Sequence, residues 1–213
     1  MPALALGIGA TPHFSDGLAL DRALPVPSYM IAGTALPKGI YLGAVAALDG
    51  ASPADGFAGA ARAEAAMHAD APGASQIPLL EHALAAAPAS PRTWLLLAQA
   101  QLQTDRAKAA TALSQALILA PYDYWVAAGR TRYAALLWSD LDADARSRAL
   151  GQVRLLWEEP QFHAQLLQLL TLPKVPKLVD RAFAGRRDER VELYRWASAT
   201  RRRAPPQYRE PAR

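Results

Sequence analysis

Apolar positions between Pro91 and Pro121 recur with the period of a helix. In PRTWLLLAQAQLQTDRAKAATALSQALILAP, Trp94, Leu97, Ala98 and Leu102 fall at i, i+3, i+4 and i+8, one face of a first helix. Ala109, Leu113, Ala116, Leu117 and Ala120 fall at i, i+4, i+7, i+8 and i+11, one face of a second. Gln103-Thr104-Asp105 between them reads as a short polar turn, with Thr104 or Asp105 placed to cap the second helix. Pro121 then stops the run. The pattern predicts a helical hairpin.

The same period predicts helices on both sides. Residues 1–36 carry Pro12, Pro25 and Pro27 and little periodicity, so they read as an extended arm. Pro37 opens a short helix through Leu48, with Ile40, Tyr41, Ala44, Val45 and Leu48 on one face. Ser52-Pro53 is a cap followed by a first-position proline. The helix it opens runs to about Asp70, packing Phe57, Ala60, Ala61 and Met67, with Glu64 at the margin reaching water. Ala71-Pro72-Gly73 breaks it, and Ser75 caps the next, which ends near Ala87. Beyond the hairpin, one helix spans Tyr124 to Trp138, with Val126, Gly129, Tyr133, Leu136 and Leu137 on the helical period. Asp142 caps another, with Ala145, Ala149, Val153 and Leu156 inward. Pro160 begins a helix over Phe162 to Leu170, and a last one spans roughly Lys177 to Ala199. Residues 200–213, with Arg201, Arg202 and Arg203, form a basic proline-containing tail expected to be disordered.

Copies of the hairpin surface elsewhere. Ala83-Leu84, Ala116-Leu117 and Ala149-Leu150 recur at a spacing of 33, as do Leu80 and Leu113, and the Ala-Pro pairs at 87–88 and 120–121. The third copy has Arg154 where a closing proline would stand, so two repeats are recognisable and one has decayed. Trp94, Leu97 and Ala98, then Ala109, Leu113 and Ala116, and the closing Pro121 resemble a degenerate tetratricopeptide repeat, whose period is near 34. The inter-helix turn is one residue shorter than that family's pattern, and Gln101 stands where a bulky aromatic is common. The resemblance implies an all-α fold: a right-handed array of antiparallel helix pairs over residues 37–199, an α-solenoid preceded by the irregular arm. The string from Tyr133 to Trp157 also resembles bacterial helical-repeat proteins found beside envelope polysaccharide assembly systems. That likeness tilts localisation toward the bacterial envelope, periplasmic or associated with the inner membrane, over a cytoplasmic one.

Composition adds bounds. Hydrophobic residues at 52% and charged residues at 20% describe a globular chain, and the absence of cysteine excludes disulfides and thiolate-ligated metals. Net charge is +4, but from Pro173 onward twelve Lys/Arg face five Asp/Glu, so the basicity sits at the C-terminal end. The opening MPALALGIGATPHF lacks the basic residue of a secretory signal and is too short to span a bilayer; it fits the end of a membrane helix. Pro37-Lys38-Gly39 interrupts the apolar stretch from Tyr29 to Leu48, so no integral membrane span is expected in this chain.

No chemistry stands out. Glu64 and His68 share a helix face at i, i+4, but no second histidine joins them, so a surface pair is the better reading and no metal site is expected. Gly7-Ile8-Gly9 lacks the further glycine and the lysine of a phosphate cradle, and no cofactor is expected. Glu158-Glu159 point about 100° apart on a helix and suit a solvated end rather than acid–base catalysis. The tryptophans suit gaps between alanine-rich helices, while Tyr122, Tyr124 and Trp125 at a repeat junction are the candidate partner-binding residues. Arg201, Arg202 and Arg203 are candidates for contact with an anionic lipid surface. Nucleic acid is disfavoured, because Asp188, Glu189 and Glu192 interleave with the arginines before them. The expected function is a noncatalytic scaffold for a protein or peptide partner. The alternatives are an accessory subunit binding a glycan or anionic polymer, and an enzyme of unrecognised class.

Overall fold

A computed structural model describes residues 36–49 and 56–203. The expected arm, the Ser52-Pro53 helix start and the tail beyond 203 lie outside the described residues. The described residues form α-helices and one 3-10 turn: α1 Lys38–Leu48, α2 Gly56–His68, α3 Gly73–Ala86, α4 Pro91–Gln101, α5 Arg106–Leu119, α6 Tyr124–Leu137, α7 Ala143–Glu158, the turn Pro160–Phe162, α8 His163–Leu169, α9 Val175–Ala182 and α10 Arg187–Arg203. Among the described residues there is no strand, and no helix is long and apolar enough to cross a membrane.

Local signals set the boundaries. Ser90 caps α4 by accepting from Thr93 N–H at 3.3 Å, with Pro91 at the first helical position. Asp105 accepts from Lys108 N–H at 3.0 Å to start α5, and Asp142 from Ala145 N–H at 2.7 Å to start α7. Asp70 closes α2 at φ 68, while Ala71 N–H reaches back to the Ala66 carbonyl at 2.9 Å. A short polar side chain tolerates that left-handed turn.

Consecutive helices pack in neighbouring pairs, α1 on α2 through to α6 on α7, and α2 also touches α4, α4 touches α6, and α6 touches α8. The 33-residue period is visible in space. Leu80 and Leu113 are fully buried, as are Ala116 and Leu117, and Ala83 nearly so. Ala87 (φ −136, ψ 70) and Ala120 (φ −150, ψ 74) end α3 and α5 in the same extended conformation, as a following proline demands. In the decayed copy Arg146 replaces the leucine. Its Nε donates to the Trp138 carbonyl at 2.9 Å, and Arg146 and Arg181 both lie over the Trp138 ring.

Several boundaries and faces differ from expectation. α3 starts at Gly73, and Ser75 sits inside its first turn, donating back to the Pro72 carbonyl at 2.7 Å. Phe57, expected on the packed side, is 56% exposed. Trp94 is half-buried, its Nε1 donating to the Pro88 carbonyl at 2.8 Å, whereas Thr93, Leu95, Leu96 and Ala100 are buried. The reason is that α4 contacts α2, α3, α5 and α6, so a single apolar stripe does not describe it. The expected last helix is two, α9 and α10, broken where Gly185 takes φ 83. Arg201–Arg203 continue α10 and do not begin the tail.

Candidate functional site

Every second helix, α2, α4, α6 and α8, contributes to one groove of about 500 Å³. Its apolar floor is Leu95 and Leu96 of α4, Val126 of α6, and Leu169 and Leu172 at the end of α8. Its polar border includes Glu64, Arg92, Gln99, Arg132 and Gln168. Gly129 shapes the floor: a Cβ built there would stand 2.8 Å from Leu95 Cδ2, so any side chain would push Leu95 from its place.

Glu64 does not reach freely into water. Arg92 Nε and Nη2 donate to its Oε2 at 2.9 and 2.6 Å, and the two side chains are only 25% (Arg92) and 13% (Glu64) exposed. This shielded pair ties α2 to α4 and neutralises one end of the groove. Next to it, Tyr133 is buried, and burial raises its phenol above the ordinary value. The Arg132 guanidinium lies 5.6 Å from its ring centre. Gln165 lines the same groove with Oε1 buried and unpartnered. Arg132 and Leu172 also line a second, smaller apolar slot of about 200 Å³, together with Ala135, Leu136, Pro173, Lys174 and Val175.

A buried clasp holds α6 in place. Arg130 is fully buried and donates from Nη1 to the Ala120 carbonyl at 2.6 Å and to Gln152 Oε1 at 3.3 Å. Gln152 Nε2 donates in turn to the Pro121 carbonyl at 2.7 Å. Burial pulls the Arg130 guanidinium down to about 10, with the Asp123 carboxylate opposing, so it stays charged at neutral pH. The clasp fastens the Ala-Pro junction to both α6 and α7.

Tyr122 is 77% exposed in the turn before α6. Tyr124 is occupied: its ring stacks on Phe162 at 5.1 Å, and its hydroxyl donates to Glu159 Oε1 at 3.2 Å. The backbone of Trp125 lies in α6, and its side chain lies outside the described residues. Neither Tyr122 nor Tyr124 lines the groove. Arg201 and Arg202 are exposed on α10, where Arg201 makes a long 3.5 Å bond to the Leu167 carbonyl, and Arg203 ends the helix. His68 stacks on Tyr41 at 5.1 Å, and His163 packs between Trp157 and Trp196 at 4.9 and 4.8 Å. Among the described residues no three His, Asp or Glu side chains are placed to hold a metal ion.

Sequence reasoning named Glu64 and Tyr133 without placing them together and missed Arg92 and Arg132. The available signal was the period itself: residues on the first helix of each successive pair are the ones that meet along one side. Comparison with protein-family models, with curated proteins and with solved structures finds no match.

Proposed function

We propose that this chain is a noncatalytic scaffold whose helix pairs run antiparallel in a right-handed array and hold a protein or peptide partner along the groove. The observation that carries this reading is the contribution of alternate helices, α2, α4, α6 and α8, to one continuous apolar floor with a polar border. A volume of about 500 Å³ spread across four helices suits a stretch of chain crossing the array. The unpartnered Gln165 Oε1 offers an acceptor to a main-chain N–H passing above it. The envelope setting and polysaccharide assembly rest on the resemblance of residues 133–157 alone. A lipid contact through Arg201 to Arg203 rests on the run of three arginines at the end of α10, of which Arg201 and Arg202 are exposed.

Site-specific photo-crosslinking in the native cell tests the reading. A benzophenone side chain at Gln99 or Gln168, both bordering the groove, should capture a discrete protein that the same probe at exposed Glu81 on α3 does not. Gln99→Trp with Gln168→Trp, which fills the groove, should abolish capture by a probe at Arg132. Capture from Glu81 alone, or capture unaffected by filling, would refute it.

A further inference from the structure

The charges around the groove are unbalanced in one direction. Glu64 is the only carboxylate among its lining residues, and both contacts of Arg92 fall on it. Arg132 makes no ion pair among the described residues; its guanidinium lies 5.6 Å from the Tyr133 ring centre, and the residue lines both cavities. Lys174, which also lines the slot, likewise lacks an ion pair among the described residues. It lies near enough to Asp140 to help lower that carboxyl, but Asp140 is already held by Arg106 at 2.6 Å. One positive charge therefore remains uncompensated there, and a second at Arg132. Both residues are exposed.

Between these cations lies the slot, about 200 Å³ and walled by Ala135, Leu136, Leu172, Pro173 and Val175. That is below the ~300 Å³ at which small-molecule pockets begin, and it is side-chain sized. We infer that the partner segment held in the groove is acidic and extended, placing one apolar side chain in this slot and Asp or Glu carboxylates beside it against Arg132 and Lys174. The inference rests on the scaffold reading and sharpens it to a class of sequence. Alternation explains the match: in extended chain successive side chains point to opposite sides, so the residues flanking a buried apolar one turn toward the border. Charge complementarity at such a border sets specificity and association rate.

The experiment is selection of a random 12-residue peptide library on the whole chain, followed by fluorescence anisotropy with the selected peptides. Selected sequences should be enriched in Asp or Glu beside Leu, Ile, Val, Met or Phe. Their binding should weaken roughly 10-fold or more in Arg132→Glu with Lys174→Glu, a pair of exposed positions whose exchange leaves the helical circular dichroism unchanged. Lys-for-Glu versions of the same peptides should bind the reversed chain better than the original. Peptides that bind, are lost on filling the groove with Gln99→Trp and Gln168→Trp, yet show no acidic preference would overturn this inference and leave the scaffold reading standing. No enrichment, or binding indifferent to groove filling, would overturn both. Displacement of the peptides by inorganic polyphosphate, undiminished in a variant with Ala135→Trp blocking the slot, would assign the cations to a polyanion and overturn the inference.

Discussion

Replacing glycine by alanine at three helical positions measures how closely the helices cross. In a helix interior the exchange stabilises by roughly 0.5–1 kcal/mol, because glycine loses more backbone freedom on folding. What the new methyl meets decides the rest. At Gly151 in α7 it meets nothing within 4 Å, so the full gain should appear. At Gly129 it stands 2.8 Å from Leu95 Cδ2, the far end of a side chain able to swing away, and gain and cost should nearly cancel. At Gly56 it stands 2.6 Å from the Ala83 carbonyl oxygen, with the Ala87 and Ala86 methyls at 3.2 and 3.3 Å. That oxygen is fixed in α3 by the 2.9 Å bond from Ala87 N–H, so the helices themselves must separate. Overpacking of this kind costs about 1–3 kcal/mol. Gly56 is the first residue of α2, where the interior gain does not apply, so the gap between Gly151→Ala and Gly56→Ala should be about 1.5–4 kcal/mol, or about 3–16 °C in Tm for a chain of this length. Urea unfolding followed by circular dichroism, with m unchanged, reads the order Gly151, Gly129, Gly56 from most to least stabilised. Equal stabilisation at Gly56 and Gly151 would refute the close α2–α3 crossing.

Leu113→Ala removes a fully buried side chain from α5 and should cost about 2–5 kcal/mol, whereas Trp94→Ala, at a half-buried ring, should cost less than about 3; chemical denaturation orders the two, and the reverse order would misplace Trp94. The hydrogen bond from Arg106 holds the Asp140 carboxyl below its usual 3.8, with Lys174 adding to it. A depressed carboxyl stabilises the fold fully above that value and loses its contribution as pH falls through the folded one. Thermal midpoints taken from pH about 5 to about 2.5 should therefore drop less steeply in Asp140→Asn than in the original chain.

Much of the architecture was legible because its signals are local. Asp105 and Asp142 are caps whose geometry needs only a few neighbouring residues, and the Ala-Pro junctions dictate the same backbone at 87 and 120. Ala145, Ala149, Val153 and Leu156 were placed inward by period alone and are buried. Where a helix has neighbours on several sides, period fails. Leu95, Leu96 and Leu97 are all buried, whereas a one-face reading of α4 turns Trp94 inward and leaves Leu95 and Leu96 off the packed face. The break at Gly185 was missed because isolated glycine is tolerated in helices, and only its φ of 83 shows that the chain turns there.

Arg130 marks the limit of sequence reasoning most clearly. A long cation in mid-helix is ordinarily read as solvated, yet here it is among the most enclosed side chains. Its burial follows from the repeat. The proline that ends α5 leaves the carbonyls of Ala120 and Pro121 outside the helical ladder; Ala120 accepts from Asp123 N–H at 3.1 Å and again from Arg130 at 2.6 Å, and Pro121 accepts from Gln152 at 2.7 Å. At the equivalent junction one period earlier, the Pro88 carbonyl takes its bond from Trp94 Nε1 at 2.8 Å. The two junctions share their backbone form and differ in their donors. The backbone demand repeats every 33 residues, while the side chain that meets it comes from whichever helix lies nearest. By fixing α6 against both α5 and α7, the Arg130 clasp also fixes where Arg132 and Tyr133, a turn further on, meet the groove.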